Sequence, residues 1–294
     1  MTYSEIWHRI ATSYDDGEAR AIARILIEEL FGLSYADIVC GATEQLSADD
    51  TLRLDTAVRR IEQGEPLQHV LGYADFCGNR FCVNGSVLIP RPETEWLVDE
   101  GAKLMDGCIA SDETQHKAPH SPKRILDIGT GSGCIAISLK LRLGDAYVEA
   151  WDISEEALRT AQDNADALKA EVVFRKRDAL RADNTAAPWD LIVSNPPYIC
   201  DSERSAMDDN VLLHEPHTAL FVPDDDPLRF YRAIARYALL TLNIGGSLLF
   251  ECNTRYAEAT GTMLRDMGFE EVTVSDDCFN LPRFVRGRKN SHNQ

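Results

Sequence analysis

The segment LIVSNPPY, residues 191–198, ends an apolar run with an amide, two prolines and a phenol. Proline has no N–H and fixes φ, so the carbonyls of Asn195 and Pro196 cannot join an ordinary ladder and are held facing outward. The Asn195 side-chain oxygen, a backbone carbonyl and the flat face of Tyr198 form a set that receives a planar NH2 group. Two acceptors take its two hydrogens while an aromatic ring supports its plane. Asn195, Pro196, Pro197 and Tyr198 are the candidate substrate-binding residues, and Asn195, Pro196 and Tyr198 the candidate catalytic ones.

A second constellation is ILDIGTGSG, residues 125–133, at a strand end and opening a helix. Gly129, Gly131 and Gly133 let the backbone approach a ligand, and the helix N-terminus offers unpaired N–H groups. Thr130 and Ser132 stand between the glycines. Asp152 ends the next apolar run, where an acid accepts hydrogen bonds from both ribose hydroxyls of a nucleoside. The glycine turn alone does not choose between a dinucleotide and S-adenosylmethionine. Asp127 can bond towards an ammonium group, as a methionyl moiety requires, and Asp178 can accept from an adenine amino group. Asp127, Gly129, Thr130, Gly131, Ser132, Gly133, Asp152, Asp178 and Asn195 are the candidate cofactor-binding residues, with S-adenosylmethionine the cofactor.

These residues need an alternating frame to position them. From residue 124 the chain alternates strands over 124–128, 147–151, 171–175, 190–194 and 247–251 with helices over 132–143, 154–169, 227–242 and 255–267. A final pair of strands falls near 271–274 and 284–286. Such alternation implies a mainly parallel, doubly wound α/β sheet with its ligand beyond the carboxyl ends of the strands.

Residues 1–72 read as helical. Asp15 or Asp16 caps one helix that Gly32 stops, and Ser47 with Asp50 opens another that ends by Gly64 and Pro66. Its acids outnumber its six arginines and it has no lysine, which suits a basic protein partner or a set of solvated helix faces. Residues 73–90, with Phe76, Phe81, Val83 and Val87 among glycines and asparagines, read as a β-hairpin. A helix follows at about 93–105, then a polar loop over 106–123.

The NPPY segment after a G-x-G-x-G core resembles the amino-group methyltransferases that use S-adenosylmethionine. EPLQHVLG at 65–72, FCGNRFCV at 76–83, VLIPRPETEWLV at 87–98, EPHTAL at 215–220 and the 283–288 segment narrow this. Together they are similar to the HemK/PrmC family over about residues 18–288. The resemblance implies a Rossmann-like class I methyltransferase sheet with a small N-terminal all-helical domain and a β-hairpin linker. The implied domains are 1–72 for substrate binding, 73–92 as linker and 93–294 for methyl transfer. It further implies methylation of the glutamine side-chain nitrogen (N5) in the Gly-Gly-Gln loop of class-1 peptide chain release factors. Three positions depart from the family pattern: Cys77 where an aromatic is usual, Ala179 where a bulky residue often covers the adenine, and Asn280 in place of a glycine.

Composition bounds the alternatives. In 294 residues, 48 acids against 30 basic residues give a net charge of −18. That disfavours an adenine-N6 methyltransferase, which needs a basic groove for the nucleic acid. A glutamine of a ribosomal protein is a related possible substrate. A silent release-factor-binding module leaves the NPPY set unexplained, and so does an NAD-dependent dehydrogenase. No run approaches a membrane span and no signal peptide is evident. The eight scattered cysteines suggest neither a metal site nor a disulfide framework, so a cytoplasmic protein is expected, and a monomeric enzyme is expected with it.

Overall fold

The computed structural model describes residues 1–110, 122–182 and 188–290, without the side chains of 107–110. Its contacts divide the chain into two compact units, Met1–Tyr73 with Met207–Glu215, and Ala74–Ala206 with Pro216–Gln294.

The first unit is helical: Tyr3–Ile10, Asp16–Phe31, Tyr35–Val39, Ala48–Glu62, Leu67–Leu71 and Asp209–His214. Side chains start the helices as the sequence requires. Asp15 accepts from the N–H groups of Gly17 and Glu18, and Ser47 from that of Asp50, each satisfying an orphan donor of a first turn. Gly32 ends its helix at φ +67°. Ile6, Ile10, Leu26, Ile27, Leu54, Val58 and Ile61 fill the core. Arg9 reaches Asp55 and Glu62 at 2.7 Å each. The return of Met207–Glu215 to this unit leaves no periodic signal long enough to read in the sequence.

The second unit begins with a hairpin of β1 (Tyr73–Phe76) and β2 (Asn79–Cys82). Cys77 and Gly78 turn it, both at positive φ (48° and 73°), the geometry of a two-residue hairpin loop. The Cys77 N–H donates to Glu95 Oε1 at 2.7 Å. The 106–123 stretch is helical to Ala110, the end of a helix that starts at Glu95, and residues 111–121 of the expected loop lie outside those described.

The remaining strands are β3 (Arg124–Ile128), β4 (Tyr147–Asp152), β5 (Val172–Lys176), β6 (Trp189–Ser194), β7 (Ile199–Cys200), β8 (Phe221–Val222), β9 (Leu242–Glu251), β10 (Phe269–Asp276) and β11 (Pro282–Lys289). Seven of them form a mixed sheet in the order β10-β11-β9-β6-β3-β4-β5. The β5, β4, β3, β6 and β9 neighbours pair in parallel. β11 inserts antiparallel between β10 and β9. Helices Cys134–Leu143, Glu155–Leu168, Arg229–Thr241 and Ala257–Asp266 connect the strands. One core layer gathers Leu97, Ile125, Ile137, Leu139 and Leu191. The other gathers Trp151, Trp189, Ile192, Tyr231 and Phe250.

β9 starts five residues before its expected position. The Gly245–Gly246 pair lies within the strand. A Cβ on Gly246 would stand 2.9 Å from the Asn243 carbonyl and 3.1 Å from that of Trp189. The β6–β9 register shifts between Trp189 and Leu191, so the glycine serves a bulge. Asn280 takes φ +60° in the β10–β11 turn, a conformation that asparagine tolerates where glycine is usual.

Candidate active site

The five parallel strands end on one side, and the site stands there. The turn after β3 carries Gly129, Gly131 and Gly133 at φ +78°, +54° and +82°. The N–H groups of Gly129 and Thr130 both donate to the Trp151 carbonyl, at 2.8 and 2.9 Å, pinning the turn to the end of β4. A Cβ on Gly133 would lie 2.9 Å from Ile137 Cδ1 and 3.1 Å from Ala161 Cβ, so this glycine lets two helices close on the turn. Asn164 supports it from below. Its Nδ2 donates to the Ser132 carbonyl at 2.9 Å, and its Oδ1 accepts from Cys82 N–H at 2.6 Å.

Asp127 is fully buried. Its Oδ2 accepts from the Thr130 hydroxyl at 2.6 Å, while Oδ1 is buried without a hydrogen-bond partner. Burial pushes this carboxyl up to about 7, against the pull of the Thr130 hydroxyl. Asp152 Oδ2 accepts from Gly131 N–H and Oδ1 from Ser154 N–H, each at 2.9 Å. Burial raises its pKa too. Asp178 caps the short turn Ala179–Arg181 by accepting from Leu180 N–H at 2.9 Å.

One cavity of about 360 Å³ is lined by Gly129–Ser132, Asp152, Asp178 and Asn195–Pro197, with Ile153, Leu180 and Phe230 as apolar wall. Ala179 is also on this wall. Asp127, Gly133 and Tyr198 stand behind the lining residues.

The two constellations meet closely. A Cβ on Gly129 would be 3.9 Å from the Asn195 carbonyl oxygen. Ser194 Oγ donates to the Ile128 carbonyl at 2.6 Å, tying the tips of β6 and β3. After Asn195 the first backbone donor is Tyr198 N–H, which bonds the Leu220 carbonyl at 3.2 Å. Pro196 and Pro197 have no N–H to give.

A buried polar chain lies behind Asn195. Its Nδ2 donates to Thr94 Oγ1 at 3.4 Å, and the Thr94 hydroxyl donates to Glu251 Oε2 at 2.7 Å. Glu251 Oε1 accepts from the Tyr198 hydroxyl at 3.3 Å. Burial raises the Glu251 carboxyl, partly countered by the Thr94 bond and the charge of Arg283. Arg283 is paired in turn with Asp277 at 2.9 Å. The Tyr198 phenol is pushed far up by burial and by Glu251. The spacing of the NPPY segment gives no hint of Thr94 or Glu251. A signal for each exists: Thr94 lies within PRPETE, and Glu251 is an acid closing an apolar strand.

The cavity's acceptors fit S-adenosylmethionine: Asp152 and Asp178 line it and could accept from hydroxyl and amino groups, while Asp127, with an orphaned buried oxygen, lies behind the lining. Among the described residues no group of three or more His, Cys, Asp or Glu is placed to hold a metal ion.

Residues 96–220 match the Methyltransferase small domain family and residues 8–72 the PrmC N-terminal domain family. The release factor glutamine methyltransferase of Bacteroides thetaiotaomicron is 43% identical over 277 residues, 94% of this chain and 95% of that protein. The protein of the same name from Flavobacterium psychrophilum is 36% identical, covering 94% of each chain. Among solved structures, the hMettl16 catalytic domain in complex with the MAT2A 3′UTR hairpin 6 is similar in fold. Its TM-score is 0.53 at 17% identity, over 84% of each chain.

Proposed function

As the chain belongs to the release factor glutamine methyltransferase family, we propose that it methylates the side-chain amide nitrogen (N5) of the glutamine in the Gly-Gly-Gln motif of class-1 peptide chain release factors. The carrying observation is the single cavity wall shared by the glycine turn and Asn195–Pro197. In this reading the NH2-receiving site lies within reach of the nucleoside-type cofactor site.

Bound S-adenosylmethionine supplies an electrophilic methyl carbon on its sulfonium. Asp127, behind the lining residues, would face the ammonium end, Asp152 would hold the ribose hydroxyls and Asp178 the adenine amino group, while the glycine turn, its N–H groups tied to Trp151 and Asp152, would give the cofactor room to approach. An amide nitrogen is a poor nucleophile because its lone pair is delocalised into the carbonyl. Asn195 Oδ1 and the Pro196 carbonyl take its two hydrogens, fix its orientation and favour partial pyramidalisation. The lone pair would then face the methyl group, whose transfer would break its bond to sulfur and leave a neutral thioether. Orientation of this kind lowers a barrier by several kcal/mol. The methylated nitrogen is strongly acidic and releases its proton to water without a dedicated base. Tyr198 stiffens the wall beside the amide plane, its hydroxyl anchored on Glu251.

In this reading residues 1–72 bind the substrate protein, 73–92 link and 93–294 carry the transfer. The partner is a protein, with no nucleic acid and no membrane, and the enzyme works as a cytoplasmic monomer. The net charge of −18 supports a protein rather than a phosphate backbone as partner. Among the described residues no helix is long and apolar enough to cross a membrane.

Incubation with methyl-labelled S-adenosylmethionine and a purified release factor tests the proposal. Mass spectrometry should place one label on the glutamine side chain of the Gly-Gly-Gln motif. A label on another residue, or none, overturns it.

A further inference from the structure

Thr94 is buried, and its hydroxyl stands between two partners, Glu251 Oε2 at 2.7 Å and Asn195 Nδ2 at 3.4 Å. A hydroxyl has one proton to give. Glu251 accepts at both oxygens, from Thr94 and from Tyr198. The Thr94 proton therefore goes to Glu251, and Thr94 Oγ1 can only accept from Asn195. An asparagine amide has one donating and one accepting end. Engaging Nδ2 with Thr94 leaves Oδ1 as the end the side chain offers elsewhere.

We propose that Thr94, polarised by Glu251, is a positioning residue that fixes which end of the Asn195 amide meets the substrate. This rests on the reading of Asn195 as an acceptor for the glutamine NH2. In the opposite amide orientation, NH2 would face NH2, donor against donor, and the substrate amide would lose one of its two orienting bonds. Thr94 also lines the cavity, and the role assigned to it here runs through Asn195. Its removal leaves the cofactor-binding acids untouched.

The experiment compares Thr94→Val, Thr94→Ser and Asn195→Ala with the unaltered enzyme on purified release factor. It reads kcat, KM for the release factor and S-adenosylmethionine affinity. Thr94→Val keeps shape but cannot accept from Asn195, so kcat should fall roughly tenfold or more, the cost of a misoriented group. KM and cofactor affinity should hold, and Thr94→Ser should recover most of the rate. Normal kcat in Thr94→Val overturns the proposal, as does a Thr94→Ser enzyme as slow as Thr94→Val, or a loss confined to KM. Should Thr94→Val lose its thermal transition, Thr94→Ala against Thr94→Ser makes the same comparison. A slow Asn195→Ala beside a normal Thr94→Val refutes the role of Thr94 alone. A normal Asn195→Ala refutes the reading beneath it.

Discussion

The backbone N–H of Gly131 donates to Oδ2 of Asp152 at 2.9 Å, so the acid that ends β4 also holds the glycine turn in place. Asp152 thus holds its own chain, beside the ribose role proposed for it.

Asp152→Ala removes a ribose acceptor and frees two backbone donors, Gly131 and Ser154. Each lost bond costs about 1–3 kcal/mol where the group left behind is buried. Cofactor affinity should therefore drop by at least tenfold in calorimetry, and the thermal midpoint should fall as well. Unchanged affinity contradicts the ribose assignment. A midpoint that stays put contradicts the tether.

Asp127 gives a pH dependence with a definite sign. Burial lifts its carboxyl from 3.8 to about 7, so between those values the folded protein holds a proton that the unfolded chain releases. Its contribution to stability is full below about pH 4 and is lost as pH rises towards 7. Cofactor affinity runs the other way, because an ammonium needs the ionised carboxylate. Affinity should rise from pH 5.5 to 7.5, and Asp127→Asn should flatten that rise while weakening binding. Equal slopes in the two proteins count against the assignment.

Gly133→Ala combines a positive φ with contacts of 2.9 and 3.1 Å to Ile137 and Ala161. Strain and overpacking together should cost roughly 2–4 kcal/mol. A lowered midpoint in chemical denaturation, with weaker cofactor binding, is the expected outcome. A wild-type midpoint would show that the helices close on the turn less tightly than the structure indicates.

The sequence is most informative where one local pattern has one physical meaning. The strand–turn–helix at 125–133 and the acid ending β4 are local, and the structure brings Asp127, Asp152 and Asn195 to the ends of adjacent parallel strands. The early start of β9 is not legible because glycine's two uses, stopping a strand and kinking it, look alike in one chain. Thr94 lies 101 residues from Asn195 and 157 from Glu251. That chain is made by three separate elements, so no spacing in the sequence could reveal it. The resemblance quotes the segment holding Thr94 without distinguishing it from its neighbours.

The central claim is that Asn195 orients the substrate amide for methyl transfer, and the single-turnover rate of Asn195→Ala tests it most directly. The measurement uses saturating S-adenosylmethionine and purified release factor. Losing one orienting bond in a closed site costs on the order of 2–4 kcal/mol. The rate should therefore fall by roughly two orders of magnitude, with release-factor binding nearly unchanged. A rate within twofold of the unaltered enzyme would contradict the account, and another group would have to hold the amide.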